Sequence, residues 1–399
     1  MKNQSLEGWL RVSAGLLINL CMGTIYSWSV FRTPMEEQFS LTAVQSGLPY
    51  MIFLAMFAFS MPLGGWVIGK IGPRLTTVTG ALLLGSAWVL AGISGSFTVI
   101  VLAYGVLGGV GVGLAYGAPL AVAGKWFPRR KGLAMGIALV GFGLSPFITA
   151  PLAEYLIVSR GVLASFWILG AAFFVVIAVL GQFLIYPKTD GQSDSHKSEQ
   201  MRDTSPGEML RTPAFYVLWT LYVIGTLSGL MVIGITSPAA QEIAGLSGPA
   251  AAILVSVMAV FNGLGRPLFG SITDKFGARN SIALAAVLVA AASGLMLIMP
   301  EGSPILFSLA FAVFWLLLGG WLAIAPAATT VLFGSKYYSQ NYGIMYTAYG
   351  VGAILGTLIS GEIRSAFGSY RLAFIPTLGL AAVALVIVLI FMKKETQKQ

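Results

Sequence analysis

Apolar residues run along this chain in long blocks. They fall near residues 9–30, 42–68, 75–94, 97–123, 132–157 and 163–186, and again near 213–236, 248–273, 279–299, 303–332, 341–366 and 370–392. A helix needs about 20 apolar residues to cross the ~30 Å hydrocarbon core of a bilayer, and every block meets that length. Helix is the element they predict. A backbone in lipid must satisfy its own N–H and C=O groups, and membrane strands would leave short alternating patterns instead. The first block lacks a small-residue cleavage site and is expected to be retained as a helix.

One long polar stretch interrupts the blocks: Pro187–Arg211, PKTDGQSDSHKSEQMRDTSPGEMLR. Its composition reads as a flexible linker. The chain then divides into an N-terminal six-helix bundle (1–186), a cytoplasmic linker (187–211) and a C-terminal six-helix bundle (212–399). The halves share local sequence. Met61–Arg74 reads MPLGGWVIGKIGPR and Arg266–Arg279 reads RPLFGSITDKFGAR, and six of these fourteen positions match. Both segments join the second block of a half to its third. The expected fold is an all-α membrane protein of twelve transmembrane helices in two pseudo-symmetric bundles, an architecture of secondary transporters. Gly105, Gly109 and Gly113 have the spacing that lets helices approach closely in lipid.

Composition agrees: 57% of the residues are hydrophobic and 9% charged, against about 45–50% and about 25% in soluble domains. A single Cys (Cys21) and a single His (His196) exclude an internal disulfide, a cysteine or histidine metal cluster and a His-based triad. The GGVGVG of Gly108–Gly113 lacks the strand-to-helix context of a nucleotide loop. No enzyme, catalytic residue, metal or cofactor is expected. The net charge of +9 follows topology rather than nucleic acid. If both termini and the linker are cytoplasmic, eighteen of the 23 Lys and Arg lie inside, four lie outside, and Arg266 is left within a span. A bacterial inner membrane is the expected location.

Gly270–Arg279, GSITDKFGAR, resembles the G-x-x-x-D-[RK]-x-G-x-R loop motif of the major facilitator family. The resemblance implies that Asp274 and Arg279 form a conformational latch; the first copy carries Gly69 in place of the Asp. Trp126–Ser145, WFPRRKGLAMGIALVGFGLS, resembles the signature opening the fifth helix of monocarboxylate transporters, and Glu7-Gly8-Trp9 resembles their acidic-Gly-Gly-Trp start with one Gly missing. The similarity extends to the oxalate:formate antiporters.

Arg266 is the sharpest candidate. It lies eight residues before Asp274, about 12 Å along the helix and close to mid-membrane. An Arg there costs about 2.5–3.5 kcal/mol and normally faces a cavity or partner. Its fork matches a carboxylate, and no acid in the sequence is well placed to pair with it. The resemblance makes it the carboxylate-binding Arg of the eighth helix. Asn262, one turn earlier, stands where animal relatives carry the Asp linked to proton coupling. Tyr342, Tyr346 and Tyr349 share a helix face, with Tyr349 at the depth of Arg266, and the oxalate relatives have a Lys near Tyr349. One cation where those relatives have two suits a monoanion.

The expected substrate site is Arg266, Asn262, Tyr349, Tyr346, Tyr116 and Leu144. Asn19, Tyr26 and Phe147 are further candidates, and Trp315 and Trp321 are expected to gate or pack. The expected function is secondary active transport, by alternating access, of a small monocarboxylate such as L-lactate or pyruvate, with protons as coupling ion and the lipid bilayer as surroundings. An oxalate/formate exchanger, a transporter-like sensor and a broad drug exporter are the alternatives.

Overall fold

The computed structural model describes residues 2–187, 203–334 and 336–392. His196 and most of the expected linker lie outside these residues, as do the side chains of Arg129 and Lys131. Ten continuous helical runs among the described residues are long and apolar enough to cross a membrane. Two of them, Ala43–Ile93 and Gly248–Ile298, are 51 residues long, or ~77 Å at 1.5 Å per residue. That is more than twice a bilayer core, and each folds back at a glycine. Gly72 (φ 79°, ψ 167°) and Gly277 (φ 79°, ψ 161°) break the helical path. The result is twelve spans among the described residues: α1 (Leu6–Phe39), α2 and α3 (43–71 and 73–93), α4 (Phe97–Trp126), α5 (Lys131–Arg160), α6 (Val162–Gly181), α7 (Pro213–Ala244), α8 and α9 (248–276 and 278–298), α10 (Pro304–Phe333), α11 (Tyr338–Phe367) and α12 (Tyr370–Phe391).

Local sequence explains where the helices start. Thr42 closes a capping box with Gln45 ahead of α2. Thr212 and Ser247 accept from the third residue of α7 and α8, each helix carrying Pro in its first turn. The two reversing glycines occupy a region of φ/ψ space that is essentially glycine-only. A Cβ on Gly72 would meet nothing within 4 Å, so any cost of Gly72→Ala is backbone strain. We expect it to destabilise the purified protein by about 1–3 kcal/mol, read as a lowered melting temperature.

The repeated motif has the same job in both halves. Arg74 donates from Nε to Gln182 Oε1 (2.6 Å) just past α6, and Arg279 donates from Nε to the Met392 carbonyl (2.8 Å) just past α12. Each arginine braces the last helix of its own bundle. The glycine stripe of α4 lies against α2: a Cβ on Gly105 would lie 3.0 Å from Ile52, and one on Gly113 would lie 2.8 Å from the Phe57 carbonyl. Residues 203–211, expected to be flexible linker, are docked instead. Pro206–Met209 forms a helical turn capped by Ser205, Thr204 N–H donates to the Phe333 carbonyl (2.9 Å), and Asn341 donates to the Thr204 carbonyl (2.9 Å).

The halves meet along three helix pairs: α2 with α11, α5 with α8, and α1 with α7. At the end remote from the termini, Arg32 of α1 ties them together. It is buried, donating to Ser46 Oγ (3.0 Å), to the Ala43 carbonyl, and across the interface to the Gly234 carbonyl of α7 (3.3 Å). Its guanidinium faces the Tyr370 ring at 5.6 Å, and Arg364, paired with Glu242 at 2.5 Å, faces the same ring at 5.7 Å. Its place in the charge count gave no sign of this burial.

Candidate functional site

The site is built from α8 outward. Asn262 and Arg266 are one turn apart, so their side chains leave the same face, and that face meets α5 of the other half. Arg266 is 8% exposed and Asn262 fully buried. Arg266 Nη1 donates to the Leu139 carbonyl of α5. Its Nε and Nη2 are buried without a protein partner. Those two nitrogens share the side-on edge of the guanidinium, the edge that grips both oxygens of a carboxylate. Asn262 donates from Nδ2 to the Trp315 carbonyl of α10 (3.2 Å), and its Oδ1 has no donor. Gly143 of α5 lies opposite. A Cβ there would lie 2.6 Å from Asn262 Oδ1 and 3.3 Å from Arg266 Nη2, so only a glycine fits against both groups.

Aromatic rings surround this polar pair. Tyr26, in a 3-10 stretch of α1, shares a hydroxyl–hydroxyl hydrogen bond of 2.6 Å with Tyr349 of α11, another tie between the halves. Tyr349 stacks on Tyr346 (ring centroids 4.9 Å apart, 13° between planes), and both meet Phe57 of α2 edge-on. Phe142 of α5 packs edge-to-face with Tyr26 (5.2 Å) and Tyr116 (5.3 Å). Arg266 lies within electrostatic reach of the Tyr26, Tyr116, Tyr342 and Tyr346 hydroxyls. Such offset and edge-on contacts fix ring orientation as well as burying area.

The structure therefore brings together Arg266, Asn262, Tyr116 and Tyr346, with Tyr349 reaching the group through Tyr26. Leu144 is half-buried against Gly263 of α8, at 3.0 Å from where a Cβ would stand. Phe147 does not join them. Its side chain is 54% exposed, and only its carbonyl is engaged, by Ser256 Oγ at 2.6 Å. Asn19 donates to the Ala138 carbonyl (2.9 Å), one residue from the Leu139 carbonyl that holds Arg266. Trp315 donates to Thr236 Oγ1 (3.0 Å) and offers its carbonyl to Asn262, whereas Trp321 stacks on Tyr222. Phe57, Phe142 and Gly143 were not among the sequence candidates. Nothing in an apolar run distinguishes a residue facing the site from one facing lipid.

The model of the Major Facilitator Superfamily matches residues 13–239 and 224–399. The chain belongs to the Major Facilitator Superfamily. An oxalate:formate antiporter of Oxalobacter formigenes is 30% identical over 370 residues, covering 92% of this chain and 87% of the relative. Human monocarboxylate transporter 12 is 26% identical over 401 residues, covering 92% and 77%. Among solved structures, a bacterial homologue of the human lysosomal transporter Spinster, inward-facing and unoccupied, superposes with a TM-score of 0.75 at 16% identity, covering 98% of this chain and 99% of that one. That likeness is one of fold.

The superfamily loop motif does not form the expected latch here. Asp274 is exposed and has no hydrogen bond or ion pair among the described residues, while Arg279 is engaged with the Met392 carbonyl. The two segments that resemble monocarboxylate transporters pack on each other. Trp9 lies against Phe127 (4.6 Å between centroids), Gly8 sits beneath the same ring, and Arg11 covers Trp126 at 4.2 Å. Their shared role is to fasten the start of α1 to the junction of α4 and α5.

Proposed function

We propose that this chain carries a small monocarboxylate, L-lactate or a pyruvate-like acid, by alternating access between its two halves. One observation carries the reading: Arg266 presents Nε and Nη2, buried and without protein partners, on one edge. A buried donor left unmade is costly, and an intramembrane cation marks a substrate path by default. A carboxylate satisfies both donors at once. Tyr116 and Tyr346 add hydroxyls, Tyr349 acts through Tyr26, and Leu144 supplies apolar surface.

The site joins the halves, since Arg266 reaches from α8 to the Leu139 carbonyl of α5. Substrate bound there neutralises the charge that the halves must carry past each other. On the Lys and Arg count the termini are cytoplasmic, as expected for a bacterial inner-membrane protein. The Arg32–Gly234 tie then closes the extracellular end, and Asp274 and Arg279 would form their latch in another state, once Arg279 leaves the Met392 carbonyl.

Proton symport is the expected coupling. Asn262 cannot titrate near neutral pH, so the proton takes another route than a carboxylate beside Arg266: the surroundings of Arg266, one of the tyrosines, or the substrate itself. Uptake of labelled L-lactate into proteoliposomes, with and without an inward proton gradient, tests this. Acceleration by the gradient supports symport. Uptake that ignores the gradient but needs internal anion makes the protein an exchanger. No uptake under any gradient overturns the monocarboxylate reading.

Oxalate/formate exchange is the second reading, favoured by the 30% identity to the Oxalobacter antiporter. Against it, Arg266 is the one cation at this site among the described residues; Arg32 and Arg364 are engaged at the remote end. A dianion would lack its second partner.

A further inference from the structure

Asn262 carries more information than proximity to Arg266. It is fully buried, and its amide orientation follows from its neighbour. Nδ2 faces the Trp315 carbonyl at 3.2 Å. A carbonyl only accepts, so the reversed amide would set oxygen against oxygen. Oδ1 is therefore the atom pointing away from Trp315, and no described residue donates to it. It faces Gly143, as Arg266 Nη2 does, so an unmade acceptor and an unmade donor lie beside the same glycine.

Two unmade donors of Arg266 and one unmade acceptor of Asn262 thus stand one helical turn apart on the same face of α8. A carboxylate on Arg266 answers the donors only. A hydroxyl on the adjacent carbon of the same ligand supplies the missing donor to Asn262. A 2-oxo acid places a carbonyl oxygen there, acceptor against acceptor, and an unsubstituted acid leaves Oδ1 unpaired. Sites that hydrogen-bond a substrate hydroxyl reject analogues lacking it, because their own polar group is then stranded.

We propose that Asn262 makes this site selective for 2-hydroxy over 2-oxo monocarboxylates. The proposal rests on the reading of Arg266 as the carboxylate anchor. Asn262 is the specificity residue, and Trp315, through its carbonyl, is a positioning residue for it.

The test uses matched pairs in proteoliposomes: L-lactate against pyruvate, and L-2-hydroxybutyrate against 2-oxobutyrate, for wild type and Asn262→Leu. In wild type we expect each hydroxy acid to have a KM roughly tenfold below that of its oxo partner, the worth of one such hydrogen bond. In Asn262→Leu the ratio should fall to about one in both pairs, because the variant has no acceptor to satisfy or strand. Equal KM values in wild type, or a ratio that persists in Asn262→Leu, overturn the proposal. Should the variant not reach the membrane, Asn262→Ala replaces it, with the same expectation. If wild type moves none of the four acids, the Arg266 reading itself has failed, which is distinct from transport without discrimination.

Discussion

Arg266→Gln is expected to lower monocarboxylate uptake by roughly a hundredfold or more while the protein still inserts and purifies as wild type does. Truncating one partner of a buried, hydrogen-bonded charge pair costs about 2–5 kcal/mol, and tenfold is about 1.4 kcal/mol. The substitution does not threaten insertion, since the arginine is the residue that is costly at mid-membrane. Arg266→Lys keeps the charge but loses the side-on fork, so it should remain at least about tenfold below wild type. Initial uptake rates, beside size-exclusion profiles of each variant, check both expectations. Wild-type rates in Arg266→Gln would make the residue structural. A misfolded Arg266→Gln would mean that its bond to the Leu139 carbonyl holds the halves together.

The second large effect concerns the support for that arginine. Gly265 is the residue before Arg266, and a Cβ there would run into the Leu316 carbonyl oxygen of α10 and lie 3.0 Å from the Gly320 nitrogen. Gly319 answers from α10: a Cβ on it would run into the Asn262 carbonyl oxygen. The α8 and α10 backbones thus touch through reciprocal glycines, the small-residue packing that holds helices together in lipid. No flexible side chain is there to yield. Gly265→Val must separate two helices, a change beyond the ~1–3 kcal/mol of ordinary overpacking. We expect loss of most folded protein and of transport. Gly294→Ala in α9 is the control: a Cβ there meets nothing within 4 Å, and alanine in a helix gains about 1 kcal/mol over glycine. Fluorescence-detected size exclusion across a temperature ramp separates the two. A Gly265→Val protein as stable as Gly294→Ala would contradict the close approach of α8 and α10.

The fold was legible because lipid leaves the backbone few choices. Uninterrupted apolar blocks of spanning length located the helices, and the repeat between Met61–Arg74 and Arg266–Arg279 located two equivalent reversals, now seen at Gly72 and Gly277. Arg266 was legible for the same reason: a charge in an apolar block needs an explanation. The rest of the site was harder to read. In a soluble helix the polar face gives the phase, but here lipid-facing and core-facing positions are both apolar. Phe147 and Phe142 look alike in sequence, yet one is 54% exposed and the other 1%. Leu139 contributes a carbonyl, which no sequence pattern marks. Arg32 lay beyond the first apolar block, among the four basic residues counted outside, and its burial depends on Gly234 and Tyr370, both more than 200 residues away. The expected Asp274 latch depends on which helices the halves bring near the loop, a property of the conformational state.

On the proposed reading, one buried arginine with no second cation beside it among the described residues selects a monocarboxylate. The most direct test is uptake of labelled L-lactate into proteoliposomes of the wild-type protein, challenged by excess unlabelled L-lactate or oxalate. We expect lactate to displace the label and oxalate to compete at least about tenfold less well, the cost of leaving its second carboxylate without a charged partner. Oxalate competing as strongly as lactate would contradict it.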